Sequence, residues 1–135
     1  MEKRKLPNRR GGYTQKMKIG GQTLYLRTGE YEDGTLGEIF VDLSKEGALI
    51  RSMMNSFCIG ISVALQSGAS IEDLCEKYLH TKFEPSGIVQ SHPHIKMASS
   101  ILDLIFRDLA INYLGRDDLR HGLKTDGESL IEDAK

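Results

Sequence analysis

The sequence predicts a small α+β domain, a three-stranded antiparallel sheet packed against three helices in the order βββααα. Three observations carry this. Three short runs in the first third of the chain alternate apolar and polar residues, the period of a half-buried strand. Three later runs repeat apolar residues at three- and four-residue steps, the period of a helix. The length of 135 residues, with 39% hydrophobic and 27% charged side chains, suits one globular domain with its own core. Residues 1–12 are expected to form a basic arm, 13–121 the domain, and 122–135 an acidic, frayed tail.

The net charge of -1 hides an uneven distribution. Residues 1–18 carry seven basic side chains against Glu2 alone, and acidic residues dominate from Asp126 onward. Pro7 and Gly11-Gly12 deny the arm regular structure. It admits two readings: a solvated leader, or a segment that meets phosphate or nucleic acid and gains affinity from counterion release.

Thr14 to Ile19 and Gln22 to Arg27 alternate on either side of Gly20-Gly21, which predicts a tight hairpin with Met17, Ile19, Leu24 and Leu26 on its buried face. Thr28 to Gly37 is a Gly-punctuated loop with Glu30, Glu32 and Asp33, followed closely by Glu38. Such carboxylates suit Mg²⁺ or Ca²⁺, but their spacing does not match a calcium loop. A Glu30–Glu38 acid/base pair lacks a supporting His, Ser or Lys nearby in sequence, which leaves a solvated or salt-bridged loop. Glu38 to Leu43 is the third strand, with Ile39, Val41 and Leu43 inward.

Ser44 is placed to cap a helix from Lys45 to Gln66. Its apolar stripe runs from Leu49 to Leu65 and is widened by Ile59 and Val63, so this helix is expected to be buried on more than one side, with the other elements covering it. Met53, Met54 and Phe57 are assigned to the core rather than to a cofactor pocket, and Gly68 to the C-cap. Ser70, with Asp73 three residues on, opens a second helix that ends by His80 or Thr81. Pro93 suits the first turn of a last helix, whose stripe runs through Met97, Ile101, Leu104, Ile105, Leu109, Tyr113 and Leu114 to Gly115. Asp103 and Arg107 are expected to pair on its exposed side.

Function is less visible. Cys58 and Cys75 are the only cysteines, which excludes a disulfide framework and a four-thiolate zinc site. Both are expected to be buried thiols in a reducing compartment. His92 and His94, joined by Cys75 or His80, make a weak zinc pattern, and no metal is assigned. No run reaches the ~18 apolar residues of a membrane span, and no secretory signal is seen, so a cytoplasmic protein without membrane contact is expected. No Gly-rich phosphate loop appears. Three strands leave one sheet face and the long apolar helix wanting cover, for which a homodimer is the simplest source.

Five stretches occur in a fixed order: LPNRRGGYTQK from Leu6, YLRTGEYEDGTLGEIFVDLSKEGA from Tyr25, RSMMNSF from Arg51, FEPSGIVQ from Phe83 and KMASSILDLIFRDLAINYLGRDDL from Lys96. Together they span about Lys5 to His121 and resemble the C-terminal region of adenosylcobalamin-dependent ribonucleotide reductases, the segment that follows the catalytic barrel. The barrel, its radical cysteine and its redox cysteine pair have no counterpart here, so the resemblance carries over no catalytic residue. It implies a stand-alone relative of an accessory region tied to deoxyribonucleotide synthesis and DNA replication, without isolated reductase activity. Adenosylcobalamin is implied only for the full-length family, and no cofactor is expected for this chain alone. The expected partner is a reductase polypeptide. The alternative is a nucleotide- or nucleic-acid-binding regulatory module. The candidate surface for either is Arg9, Arg10, Lys16, Arg27 and Arg51, with Glu30, Glu32, Asp33 and Glu38 as a candidate acidic loop.

Overall fold

The computed structural model describes residues 3–121; the acidic tail expected over 122–135 lies outside the described residues. The α+β class stands, but the sheet has five strands rather than three. Strands β1 (Thr14–Ile19), β2 (Gln22–Glu30) and β3 (Leu36–Leu43) are joined by β4 (Gly87–Gln90) and β5 (Met97–Ala98). Their order is β3-β2-β1-β4-β5, antiparallel throughout. Helices α1 (Ala48–Gln66), α2 (Ile71–Tyr78) and α3 (Ile101–Leu114) complete the domain, with a 3₁₀ turn at Asp117–Leu119.

The β1–β2 hairpin forms as the sequence requires. Ile19 faces Gln22 across Gly20 and Gly21, whose φ angles of 54° and 80° are those of a primed turn. Met17, Ile19, Leu24 and Leu26 are each fully buried. Gly12, just before β1, lies so close to the Thr28 carbonyl that any side chain there would collide with it.

The centre of the core is α3, not α1. Nine of the 14 residues of α3 are buried, whereas α1 buries only Cys58, Ile61 and Leu65 of its 19. Phe106 is fully buried and packs against Tyr78 and, edge-on, Phe57. Truncating such a side chain costs roughly 3–5 kcal/mol. Leu49, Met53, Ile59 and Val63 stand 72%, 60%, 55% and 44% exposed, so the expectation of an α1 covered on several sides is overturned.

The reason is where α1 lies. It runs along the free edge of β3 and supplies polar side chains where a further strand would supply backbone. The Ser62 hydroxyl accepts from the Ile39 amide at 3.0 Å and donates to the Ile39 carbonyl at 3.3 Å. Gln66 Nε2 donates to the Gly37 carbonyl at 3.1 Å, and the Cys58 thiol meets the Val41 backbone. Four helical residues rise ~6.0 Å and two strand residues ~6.7 Å, so the steps 58, 62, 66 and 41, 39, 37 stay matched. Edge contact needs only one narrow stripe of the helix. With 19 residues and a window hydropathy of 1.5, α1 is also long and apolar enough to cross a membrane, which corrects the expectation that no run is.

Other boundaries differ too: β2 runs on to Glu30 and β3 starts at Leu36, so Glu30 and Glu38 of the candidate acidic loop both stand on strands. Gly47, not Ser44, precedes α1, and it gives no side-chain cap. The last helix begins at Ile101, capped by Ser100, because Met97–Ala98 is extended and pairs with Gly87–Ile88. Met97 is accordingly 56% exposed rather than part of a helical stripe. The capping of α2 by Ser70 through the Asp73 amide is as expected.

Asp103 and Asp108 of α3 are both fully buried. Asp103 does pair with Arg107, at 2.9 Å, but in the interior. It also accepts from the backbone amides of Ser99 at 2.8 Å and His80 at 2.7 Å, and so holds His80 at the unusual φ of 66°. Burial pushes the Asp103 carboxyl up, yet these donors outweigh it and leave it below the ordinary carboxylate range. Asp103→Ala is expected to cost about 3 kcal/mol in urea unfolding, since it strands Arg107 and two amides. Asp103→Asn keeps the shape without the charge. Because the folded-state value is depressed, the stability gap between wild type and Asp103→Asn should be full above the ordinary range and shrink as pH falls below about 4.

Candidate functional site: the open face of the sheet

The alternation that buries Met17, Leu24 and Val41 sends the intervening residues of β1, β2 and β3 to the other face. Register places them in rows. Lys16 lies beside Tyr25, and Tyr25 beside Asp42. Thr14 lies beside Arg27, and Arg27 beside Phe40. Lys18 stands between Thr23 and Gln90. Tyr25 and Phe40 are 37% and 42% exposed. The Arg27 guanidinium sits 5.3 Å from the Phe40 ring centre and 3.6 Å from the Asp42 carboxylate. An open cleft of about 330 Å³ at one end is lined by Arg10, Tyr13, Arg27 and Phe40 among others.

The structure brings some of the predicted residues together and separates others. Lys16 and Arg27 share the open face, with Arg10 at its end. Arg10 pairs with Glu38 at 2.9 Å. Arg9 is exposed, and neither it nor Arg51 has an ion-pair partner among the described residues. Arg51 lies apart, beside a cleft of about 320 Å³ between α1 and the end of β3. The basic arm is docked rather than free-standing. Its Gly11 carbonyl accepts from the Glu30 amide at 3.0 Å, and Arg4 lies over the Tyr31 ring and pairs with Asp33 at 3.1 Å.

Two of the four acidic residues, Asp33 and Glu38, are taken up in contacts with the arm. Hydrogen bonds from the Thr35 hydroxyl and amide, with Arg4 beside them, lower the Asp33 carboxyl to about 2. Glu30 accepts from the Tyr113 hydroxyl, Glu38 faces Arg10, and Glu32 is exposed. Burial, then the Glu30 hydrogen bond, pushes the Tyr113 phenol up.

Sequence reasoning missed a buried polar cluster. Asp108 accepts from His92 Nε2 at 2.8 Å and from the Tyr13 hydroxyl. His92 Nδ1 accepts from the amides of His94 and Ile95, each at 3.0 Å, which fixes the proton on Nε2. Burial first, and the Asp108 carboxylate next, push the Tyr13 phenol well up. Each member is satisfied by the others, so the cluster ties β1 and the loop before β5 to α3. No short-range signal marks it, since Tyr13 and Asp108 are 95 residues apart. Among the described residues no group of three His, Cys, Asp or Glu side chains is arranged to hold a metal.

Known proteins match most of the chain. The TSCPD domain matches residues 2–113. Proteins named vitamin B12-dependent ribonucleotide reductase match as well: that of Agrobacterium fabrum is 58% identical over 120 residues, 89% of this chain and 9% of the relative. That of Bradyrhizobium diazoefficiens is 52% identical over 120 residues, 89% of this chain and 10% of the relative. That of Streptomyces coelicolor is 39% identical over 112 residues, 83% of this chain and 12% of the relative. The chain therefore spans about a tenth of the length of the curated relatives it matches. No solved structure matches it.

Cys58 and Cys75 are buried and free, and burial pushes each thiol up to about 11. A thiol so placed is a poor nucleophile and a poor dithiol partner. At pH 8 the native thiols should react with iodoacetamide about 100-fold more slowly than those of the unfolded chain, by the two-unit rise in pKa. Mass spectrometry of timed quenches, with and without urea, measures the ratio. Equal rates would mean that either thiol is exposed and activated.

Proposed function

We propose that this chain, which belongs to the TSCPD domain family, acts as a non-catalytic accessory module that docks on a ribonucleotide reductase polypeptide in the cytoplasm. It is homologous to part of the vitamin B12-dependent enzymes, and the matched segment makes up about a tenth of their length. The observation that carries the reading is the outer face of α1. Leu49, Met53, Ile59 and Val63 stand out from the domain, and Arg51 is the only charged residue in the helix. Four large apolar side chains exposed on one side of a helix offer a surface for another polypeptide. The module needs no cofactor of its own, and adenosylcobalamin belongs to the full-length enzymes.

The immobilised chain should recover a ribonucleotide reductase polypeptide from native lysate. Met53→Glu, at an exposed helical position, should keep the circular dichroism of the wild type and lose at least about ten-fold of that recovery. The reading fails if no reductase is recovered, or if Met53→Glu recovers it equally. Sedimentation of the purified chain at twice its 15.1 kDa, abolished by Met53→Glu, would instead assign α1 to a second copy.

A second reading, a nucleotide- or nucleic-acid-binding regulatory module, is favoured by a separate observation. Cations and aromatic rings share the open face of the sheet, away from the outer face of α1.

A further inference from the structure

The geometry points to the open sheet face as a stacking platform for single-stranded nucleic acid, with Tyr25 and Phe40 as base platforms and Lys16, Lys18 and Arg27 at the phosphates. This rests on the second reading above and gives that reading a ligand class and a residue set.

Four features argue for it. Tyr25 lies on β2 opposite Asp42, and Phe40 lies on β3 opposite Arg27, so the two rings are diagonal neighbours on one face. Such neighbours stand roughly 7–8 Å apart, a gap that two splayed bases can bridge. Base–aromatic stacking needs rings exposed on an open, flat surface, and both rings are so placed. Each ring has a cation near it: Lys16 is opposite Tyr25, and the Arg27 guanidinium lies over the Phe40 ring, 5.3 Å from its centre, where it offers a base a second planar group to stack on. Lys18 extends the cationic edge along β1.

The third feature is charge left uncommitted. Among the described residues Arg4 and Arg10 are paired with carboxylates, whereas Lys16 and Lys18 are not. Asp42 is the exception on the face, held 3.6 Å from Arg27. A phosphate reaching Arg27 has to displace that carboxylate, so Asp42 acts as a brake on binding. The fourth is shape. Duplex readout needs a helix or ribbon that enters a groove, and a broad sheet face offers neither. The chemistry therefore favours unpaired bases, held with little sequence preference.

The test is fluorescence anisotropy of the full chain with fluorescein-labelled oligo-dT and oligo-rU of 12 nucleotides, at 50 and 200 mM salt. An annealed duplex of equal length is the control. Both single strands should bind, more tightly at low salt, and the duplex should bind at least about ten-fold more weakly. Tyr25→Ala and Phe40→Ala should each weaken binding by about five-fold or more, while Phe40→Tyr keeps it. Lys16→Ala should reduce the slope of log affinity against log salt by about 0.7. Asp42→Asn should tighten binding by about two-fold or more. All these positions are exposed, and circular dichroism checks each fold. No binding at 50 mM salt overturns the proposal. So does binding that ignores both aromatic substitutions, which would move the contact to the basic arm, or binding in which the duplex competes equally. Reductase recovery by the same Tyr25→Ala and Phe40→Ala chains should be unchanged, so failure of this proposal and failure of the docking reading are separate results.

Discussion

Two carboxylates on a buried helix set the terms for the rest of the fold. A charge taken out of water costs several kcal/mol unless it is fully hydrogen-bonded, and α3 carries two such charges five residues apart, Asp103 and Asp108. Their partners come from regions with little regular structure of their own. Asp103 takes the amides of His80 and Ser99, so the exit of α2 and the entry to α3 meet at one side chain. Asp108 takes His92 and Tyr13, so the loop between β4 and β5 and the start of β1 meet at another. The apolar residues around them drive collapse but leave the loops free to shift. The carboxylates remove that freedom, since each loop that moves away leaves a buried charge unpaired.

With α3 fixed against one face of the sheet, the surface divides itself. The opposite sheet face stays in water and keeps the polar half of the β alternation. The edge of β3 is closed by α1, through Ser62 and Gln66 on its backbone, so the sheet does not offer that edge to another strand. An edge-covering helix touches the domain along one stripe only, and its remaining sides face outward. The apolar outer face of α1 and the cationic, aromatic sheet face are thus both products of where α3 sits. They are separate surfaces of different character, one apolar and the other carrying Lys16, Lys18 and Arg27 beside Tyr25 and Phe40.

Much of this was legible from sequence, and the misses share causes. The hairpin, β3, the Ser70 cap and the inward residues of α3 followed from period and turn chemistry. Strands β4 and β5 did not, because four residues and two are too few to display a period. Without β5, Pro93 looked like a helix start, and the Ser100 cap went unread. The error over α1 was different in kind. Periodicity reports that a helix is apolar, and by itself it does not say how much of the apolar surface is covered. Ser62 and Gln66 interrupt the apolar stripe, yet they are the residues that touch β3. Nothing near Asp108 in sequence marks its role, because its partners lie 16 and 95 residues away.

The candidate site illustrates the same limit for charge. Counting along the chain concentrated positive charge in the arm, and the arm seemed the natural place for an anion. Folding redistributes that charge. Arg4 is paired with Asp33 and Arg10 with Glu38, contacts spanning 29 and 28 residues, so two of the arm's cations are tied to the acidic segment while Arg9 stays exposed. What remains available is set by strand register rather than by density in the sequence. Lys16, Lys18 and Arg27 are scattered among polar and aromatic residues, but the pleat turns them to one side beside Tyr25 and Phe40. A charge matters to a ligand only where the fold leaves it unpaired, and among the described residues Lys16 and Lys18 on the sheet are left so.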